Sequence, residues 1–268
     1  MAGGELEDDP RIWSTARSDA VELRVVSELA RPAPMDRVLE VGVGTGRLIE
    51  ILGRRSSEIV AVDYNPDHLR LARDGAGPRT SRTSWLVADG HRLPFAAGSF
   101  STVVMVRVLH RTPAPRSLLS EARRVLRPDG SLILAYYPRP SLRTFQFTLW
   151  RTLRKGPGSR GERPALPRGG RDLPTTDEPP PWSTAQTERA ARDVGFEIEE
   201  SIGTGLEEVS LLGRLPTSFF LGLARNLPRA PGYPTRFARL RAVGSGATHP
   251  APAAVVTRPD GSAGRTRT

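Results

Sequence analysis

Arg37-Val38-Leu39-Glu40-Val41-Gly42-Val43-Gly44-Thr45-Gly46-Arg47 is the stretch that decides the fold. Val38, Leu39 and Val41 make a short apolar run holding one carboxylate, Glu40, and three glycines at alternate positions break it. Leu48, Ile49, Ile51 and Leu52 then resume at helical spacing, so the stretch reads as strand, tight turn and helix. Glycines at Gly42, Gly44 and Gly46 permit positive φ and let a ligand lie directly on the main chain, which a Cβ would block. In an open parallel sheet a nucleotide-like ligand sits at the carboxyl end of the first strand, and the next helix N-terminus offers N–H groups to its anionic part. A dinucleotide fingerprint needs G-x-G-x-x-G. Here the third glycine falls one place early and Arg47 takes the sixth position, which removes the main support for NAD.

An acid that hydrogen-bonds ribose hydroxyls is expected about 20 residues further on, at the tip of the second strand. Ile59-Val60-Ala61-Val62-Asp63 supplies it, and the unbroken apolar run before Asp63 predicts a strand buried on both faces. The spacing fits an adenosine ligand.

Further motifs follow in order: Ala61-Val62-Asp63-Tyr64-Asn65-Pro66, Leu86-Val87-Ala88-Asp89-Gly90, Leu93-Pro94-Phe95 with Gly98-Ser99-Phe100, Val108-Leu109-His110, and the run from Glu121 to Gly130. Together with Val38 to Gly46, this series over residues 37–136 resembles the class I S-adenosylmethionine-dependent methyltransferases. Within them it resembles most the branch that holds the ubiquinone/menaquinone-biosynthesis enzymes. The resemblance implies an α/β fold: a Rossmann-like doubly wound sheet of seven strands, mostly parallel with an antiparallel last strand, and helices on both faces. It implies S-adenosylmethionine as cofactor, held by Glu40, Gly42, Gly44, Gly46, Asp63, Tyr64, Asp89, Gly90, Val106 and Arg107. Tyr64 would lie against the adenine, Asp89 would approach the adenine amino group and Gly90 would supply a backbone contact. Arg107 would face the methionine end, toward its carboxylate or an anionic substrate. His110, over the reaction centre, would take a proton from the acceptor as general base. Ser101 stands where the family usually has Asp, a change that bears on local capping.

The activated methyl group of such a donor needs chiefly a positioned, desolvated nucleophile, so neither a metal nor a catalytic triad is required. That agrees with four histidines, no cysteine and no cluster of ligand spacing. The absence of cysteine also excludes disulfides and a cysteine-adduct mechanism. Base-amino methyltransferases carry an Asn/Asp-Pro-Pro-aromatic loop after the fourth strand, where this chain reads Arg107-Val108-Leu109-His110. The expected reaction is therefore methyl transfer to O, N or C of a small apolar or aromatic acceptor. The alternatives are an RNA methyltransferase and an inactive adenosyl-binding scaffold.

The net charge of +10 is unevenly placed. Residues 138–175 carry +7 and residues 228–268 carry +6, leaving −3 on the remainder. Only one of the 39 basic residues, Lys155, is a lysine, so the excess reads as arginine-rich surface rather than a nucleic-acid footprint. The 268 residues suit one main domain with appendages. Residues 1–16 read as a flexible lead, 17–227 as the methyltransferase domain and 228–268 as a disordered basic tail. An insertion at 138–181 contains an amphipathic basic helix at 141–155, read as a lid with a peripheral membrane contact as alternative. The last strand is expected at Phe219 to Ala224. Met1 to Pro10 lacks an apolar targeting core and no stretch approaches a membrane span, so a cytoplasmic protein is expected.

Overall fold

The apolar runs become the middle of a sheet. In a computed structural model, described for residues 16–77, 82–112, 114–137, 183–204, 218, 219, 222 and 235–243, the parallel strands are β1 (Arg37–Val41), β2 (Glu58–Asp63), β3 (Thr83–Val87), β4 (Phe100–Met105) and β5 (Leu126–Tyr136). β6 (Phe196–Thr204) and β7 (Thr235–Ala242) complete it, with β7 antiparallel to both β5 and β6. The order is β3-β2-β1-β4-β5-β7-β6, so successive strands depart in opposite directions from the β1/β4 pair. In open α/β sheets that reversal opens a crevice at the carboxyl ends of the strands.

Side-chain alternation splits the core in two. Val38, Ile59, Ala61, Val104, Ile133 and Phe237 meet α1 (Ala16–Leu29), α2 (Ile49–Gly53) and α3 (Pro66–Asp74). Leu39, Val60, Val62, Val103, Leu132 and Leu134 meet α4 (Pro115–Val125) and α5 (Thr184–Asp193) on the other face. Helix ends follow local chemistry. Asn65 accepts from the Asp67 N–H ahead of Pro66 at the start of α3, and Ser183 with Gln186 forms a reciprocal capping box on α5. Ser101 Oγ accepts from Arg37 N–H and donates to Arg37 O, both at 3.0 Å, so the residue standing where Asp is usual joins the feet of β1 and β4. The Arg124 guanidinium binds Glu121 and the Leu93 and Phe95 carbonyls, fixing the loop between β3 and β4 onto α4.

The seven-stranded, mostly parallel architecture is the one the sequence predicts; several boundaries and one strand differ. The final strand lies at 235–242, inside the segment expected to be a disordered tail, while Ser218, Phe219 and Gly222 are helical rather than extended. Arg236, Arg239 and Arg241 give β7 the composition of a solvated tail. In the sheet, however, Arg239 pairs with Glu199 and Glu200, and Arg241 with Glu197 and Glu199, across to β6, leaving Phe237, Ala238 and Leu240 free to enter the core. β3 is an edge strand, with Val87 half exposed. β4 ends at Met105, and Arg107 beyond it turns into a left-handed conformation. The expected insertion at 138–181, with its helix at 141–155, and all of the lead at 1–16 except Ala16, which is helical, lie outside the described residues. Among the described residues, no helix is long and apolar enough to cross a membrane.

Phe237 is fully buried, so Phe237→Ala should lower the unfolding free energy by about 3–5 kcal/mol in urea denaturation. A tail residue would give no change.

Candidate functional site

Four strand tips converge on one cavity of about 530 Å³. It is lined by Val41 to Thr45 after β1, Val62 to Tyr64 at the end of β2, Ala88 to His91 after β3 and Val106 to Thr112 after β4. The three glycines serve three different purposes. A Cβ on Gly42 would collide with the Val108 side chain, and one on Gly46 would come within 2.9 Å of the Ala72 Cβ, so Gly46 lets α3 approach the loop. A Cβ on Gly44 would meet nothing within 4 Å, because that position faces the open floor of the cavity. All three have positive φ.

Asp63 closes this floor. Its Oδ2 accepts from the Gly44 N–H at 3.0 Å and its Oδ1 from the Asn65 N–H at 3.0 Å, with His68 Nδ1 3.4 Å from Oδ1. Burial pushes the carboxyl up, but the hydrogen bonds from His68, Asn65 and Gly44 outweigh it and hold the group below its usual value. The loop N–H groups of Gly44 and Gly46 are thus spent internally, on Asp63 and on the Val43 carbonyl. They do not form the anion cradle that a nucleotide phosphate would use.

Beside Asp63, Tyr64 is 70% exposed on the rim. Asp89 Oδ1 accepts from the His91 N–H, holding the turn that places Gly90 on the wall. A Cβ on Gly90 would come within 2.8 Å of Leu118 and 3.0 Å of Val41. His91 Nε2 lies 2.7 Å from Thr112 Oγ1, which bridges the loops after β3 and β4.

At the other end, α1 supplies two acids. Glu22, only 2% exposed, binds Arg107 through Oε1 at 2.9 Å and Arg47 through Oε2 at 2.6 Å, and Arg47 also binds Asp19 at 2.6 Å. Arg107 therefore neither points to solvent nor stands apart. It lines the cavity in a charge network that sequence reading did not find. The signal was present: Glu22 sits within the apolar stripe of α1, at helical spacing from Val25, Val26 and Leu29. His68 was missed for a similar reason, being one turn into a helix whose start looked purely structural.

Nine of the expected site residues line the cavity: Gly42, Gly44, Asp63, Tyr64, Asp89, Gly90, Val106, Arg107 and His110. Gly46 and Glu40 lie behind its wall. Glu40 is buried, with Oε2 lacking a hydrogen-bond partner. Its pKa is pushed up to about 8, burial outweighing the attraction of Arg47, with Asp63 adding to the rise. His110 occupies a short 3₁₀ turn, Leu109–Arg111, where burial and then the fields of Arg111 and Arg107 lower its pKa to about 3. A base so weak holds little affinity for a proton at neutral pH, which argues against the general-base role. Among the described residues, no group of His, Asp and Glu has the geometry of a metal site.

The strand order, with its reversal at the β1/β4 pair, is that of a doubly wound α/β sheet. Residues 39–134 match the family model of a methyltransferase domain. A demethylmenaquinone methyltransferase of Thermus thermophilus is 33% identical over 115 residues, 42% of this chain and 52% of that protein. A malonyl-[acyl-carrier protein] O-methyltransferase of Geobacter sulfurreducens is 32% identical over 160 residues, 57% of this chain and 56% of that protein. The chain spans about half the length of the curated relatives it matches. A solved S-adenosylmethionine-dependent methyltransferase of Thermotoga maritima superposes with a TM-score of 0.58 over 84% of this chain and 89% of that one, at 20% identity, a likeness of fold alone. S-adenosylmethionine is the donor given in that solved protein's name, and the residues present here leave room for such a ligand: an open floor at Gly44, a carboxylate at the β2 tip and an uncovered aromatic ring on the rim.

Because Glu40 is protonated in the fold at pH values where the unfolded chain has ionised it, its contribution is complete below pH 4.5 and is lost as pH rises through about 8. Thermal denaturation of Glu40→Gln should show a gain over the unmodified protein at pH 9 that vanishes at pH 5. The His110 imidazole, with its pKa near 3, should give ¹⁵N NMR shifts that stay at neutral values from about pH 8 to pH 5.

Proposed function

We propose that the chain transfers a methyl group from S-adenosylmethionine to a small acceptor that is apolar or aromatic. The observation that carries this is the 3.0 Å hydrogen bond between the Gly44 N–H and the Asp63 carboxylate, which puts a bare stretch of main chain and an ionised acceptor side by side on the cavity floor. With Oδ1 accepting from Asn65 and His68 and Oδ2 from Gly44, Asp63 keeps one lone pair on Oδ2 with which to accept from a ribose hydroxyl. Tyr64 offers a ring face to the adenine, Asp89 an acceptor to its amino group and Gly90 an unobstructed wall. Val106 and Arg107 border the methionine end. Glu40 supports the floor from behind without touching the ligand.

Bound there, S-adenosylmethionine would supply a methyl group activated by its sulfonium, the carbon–sulfur pair going to sulfur as an electron pair of the acceptor takes the carbon. The residues then need only to orient the two partners and keep water out. His110 serves as a neutral wall group rather than a proton acceptor. The name of the relative that is a malonyl-[acyl-carrier protein] O-methyltransferase supports an oxygen acceptor.

Isothermal titration with S-adenosylhomocysteine should give saturable binding that falls about 10- to 100-fold in Asp63→Ala, the loss of charge-assisted hydrogen bonds worth about 1.5–3 kcal/mol. Equal affinities would remove the ribose assignment. Incubation of small-molecule extracts with labelled methyl donor should then yield a labelled product.

A further inference from the structure

The acids around the cavity fall into two groups. Asp63 and Asp89 stand at the tips of β2 and β3, each accepting from backbone N–H groups. On the β1 and β4 side, Asp19 and Glu22 of α1 meet Arg47 and Arg107. Arg47 donates to Asp19 Oδ1 at 2.6 Å and lies 2.6 Å from Glu22 Oε2, while Arg107 donates to Glu22 Oε1 at 2.9 Å. Two carboxylates against two guanidiniums leave this group without net charge. Within it Glu22 is buried, with a guanidinium on each oxygen. Asp19 differs. It lines the cavity with its side chain 34% exposed, and its one hydrogen bond among the described residues is at Oδ1, so Oδ2 takes none there.

The strand order decides what lies beside Asp19. Neighbouring strands stand about 4.8 Å apart, and their tips run β3, β2, β1, β4 across the crevice. A methyl donor with its base by Asp89 at β3 and its sugar by Asp63 at β2 extends its third part, the amino acid, over the glycine turn of β1 toward α1 and Arg47. That part is a zwitterion, an ammonium and a carboxylate that cancel. An ammonium offers only hydrogen-bond donors and a carboxylate only acceptors, so the pair needs an acceptor oxygen and an N–H group side by side. Asp19 and Arg47, joined at 2.6 Å, present both. Arg47 spends one nitrogen on Asp19 and one on Glu22, and its guanidinium carries further N–H donors.

We propose that Asp19 binds the methyl donor, its Oδ2 accepting from the ammonium of the amino-acid end while Arg47, held on Asp19 Oδ1, faces the carboxylate. This rests on the methyl-transfer reading above. Acid and guanidinium meet ammonium and carboxylate, so both charges of the amino acid are answered and the neutral balance of the side-chain group is kept. Through this contact α1 becomes a wall of the site in its own right, alongside the glycine turn and the strand tips. Because Asp19 is partly open to solvent, the attraction is screened by salt.

The test titrates three ligands by calorimetry: S-adenosylhomocysteine, its deamino analogue S-adenosyl-4-thiobutanoate, and 5′-methylthioadenosine, which lacks the amino-acid end altogether. The unmodified protein should bind S-adenosylhomocysteine about tenfold tighter than the deamino analogue, and the margin should shrink at high salt. Asp19→Asn keeps an oxygen for Arg47 but puts an NH₂ group where Oδ2 stood, and an NH₂ group cannot accept from an ammonium. It should erase the preference and leave the affinity for methylthioadenosine unchanged. Equal binding of the first two ligands by the unmodified protein, or a preference that survives Asp19→Asn, overturns the proposal. A matching loss of methylthioadenosine binding in the variant also overturns it, since Asp19 would then serve the shape of the site rather than the ammonium. Failure of the unmodified protein to bind S-adenosylhomocysteine sinks the methyl-transfer reading itself, an outcome read before the variant is made.

Discussion

The hydrogen bond from the Gly44 N–H to Asp63 Oδ2 is the constraint on which the site depends. It ties the turn after β1 to the tip of β2, two segments that the parallel register already brings alongside each other through Gly42 N–H and Val43 N–H to the Val62 carbonyl. A flexible glycine turn held by one ionised carboxylate becomes a floor of fixed shape. The same carboxylate accepts from Asn65, the N-cap of α3, and α3 in turn leans on Gly46 through Ala72. Turn, strand tip and helix are therefore positioned by one buried acid, whose ionised form is kept by the donors around it.

The far side of the cavity obeys a different logic. There α1 inserts Glu22 between Arg47 and Arg107, so that helix, glycine turn and the segment after β4 are joined by charge rather than by backbone. Burying a carboxylate between two guanidiniums is tolerable because each oxygen has a guanidinium nitrogen within 3 Å. The result is a cavity with acids at the β2 and β3 tips and guanidiniums at the β4 tip.

His110 and Glu40 show why position in a motif does not settle a role. Both carry ionisable groups at places where the family resemblance implies function, and in both, burial moves the pKa against the charged form. Burial holds His110 toward its neutral imidazole form and Glu40 toward its neutral acid form behind the glycine turn. Neither outcome follows from residue identity, because desolvation depends on what the other strands and helices stack against the group.

The sequence alone determined the order of strands and helices through β5, the glycine turn and the acid at the second strand's tip. Those rest on hydrophobic period and on glycine's backbone freedom, both local properties. The tertiary structure alone decided that Arg236 to Ala242 enters the sheet, since the arginines of that strand lose their tail-like character only beside Glu197, Glu199 and Glu200. It decided as well that Glu22, Arg47 and Arg107 share one network and that His68 backs Asp63. Each of these pairs residues far apart in the chain or reads burial from several elements at once, and such long-range electrostatics leave no period or spacing in a single sequence for reasoning to detect.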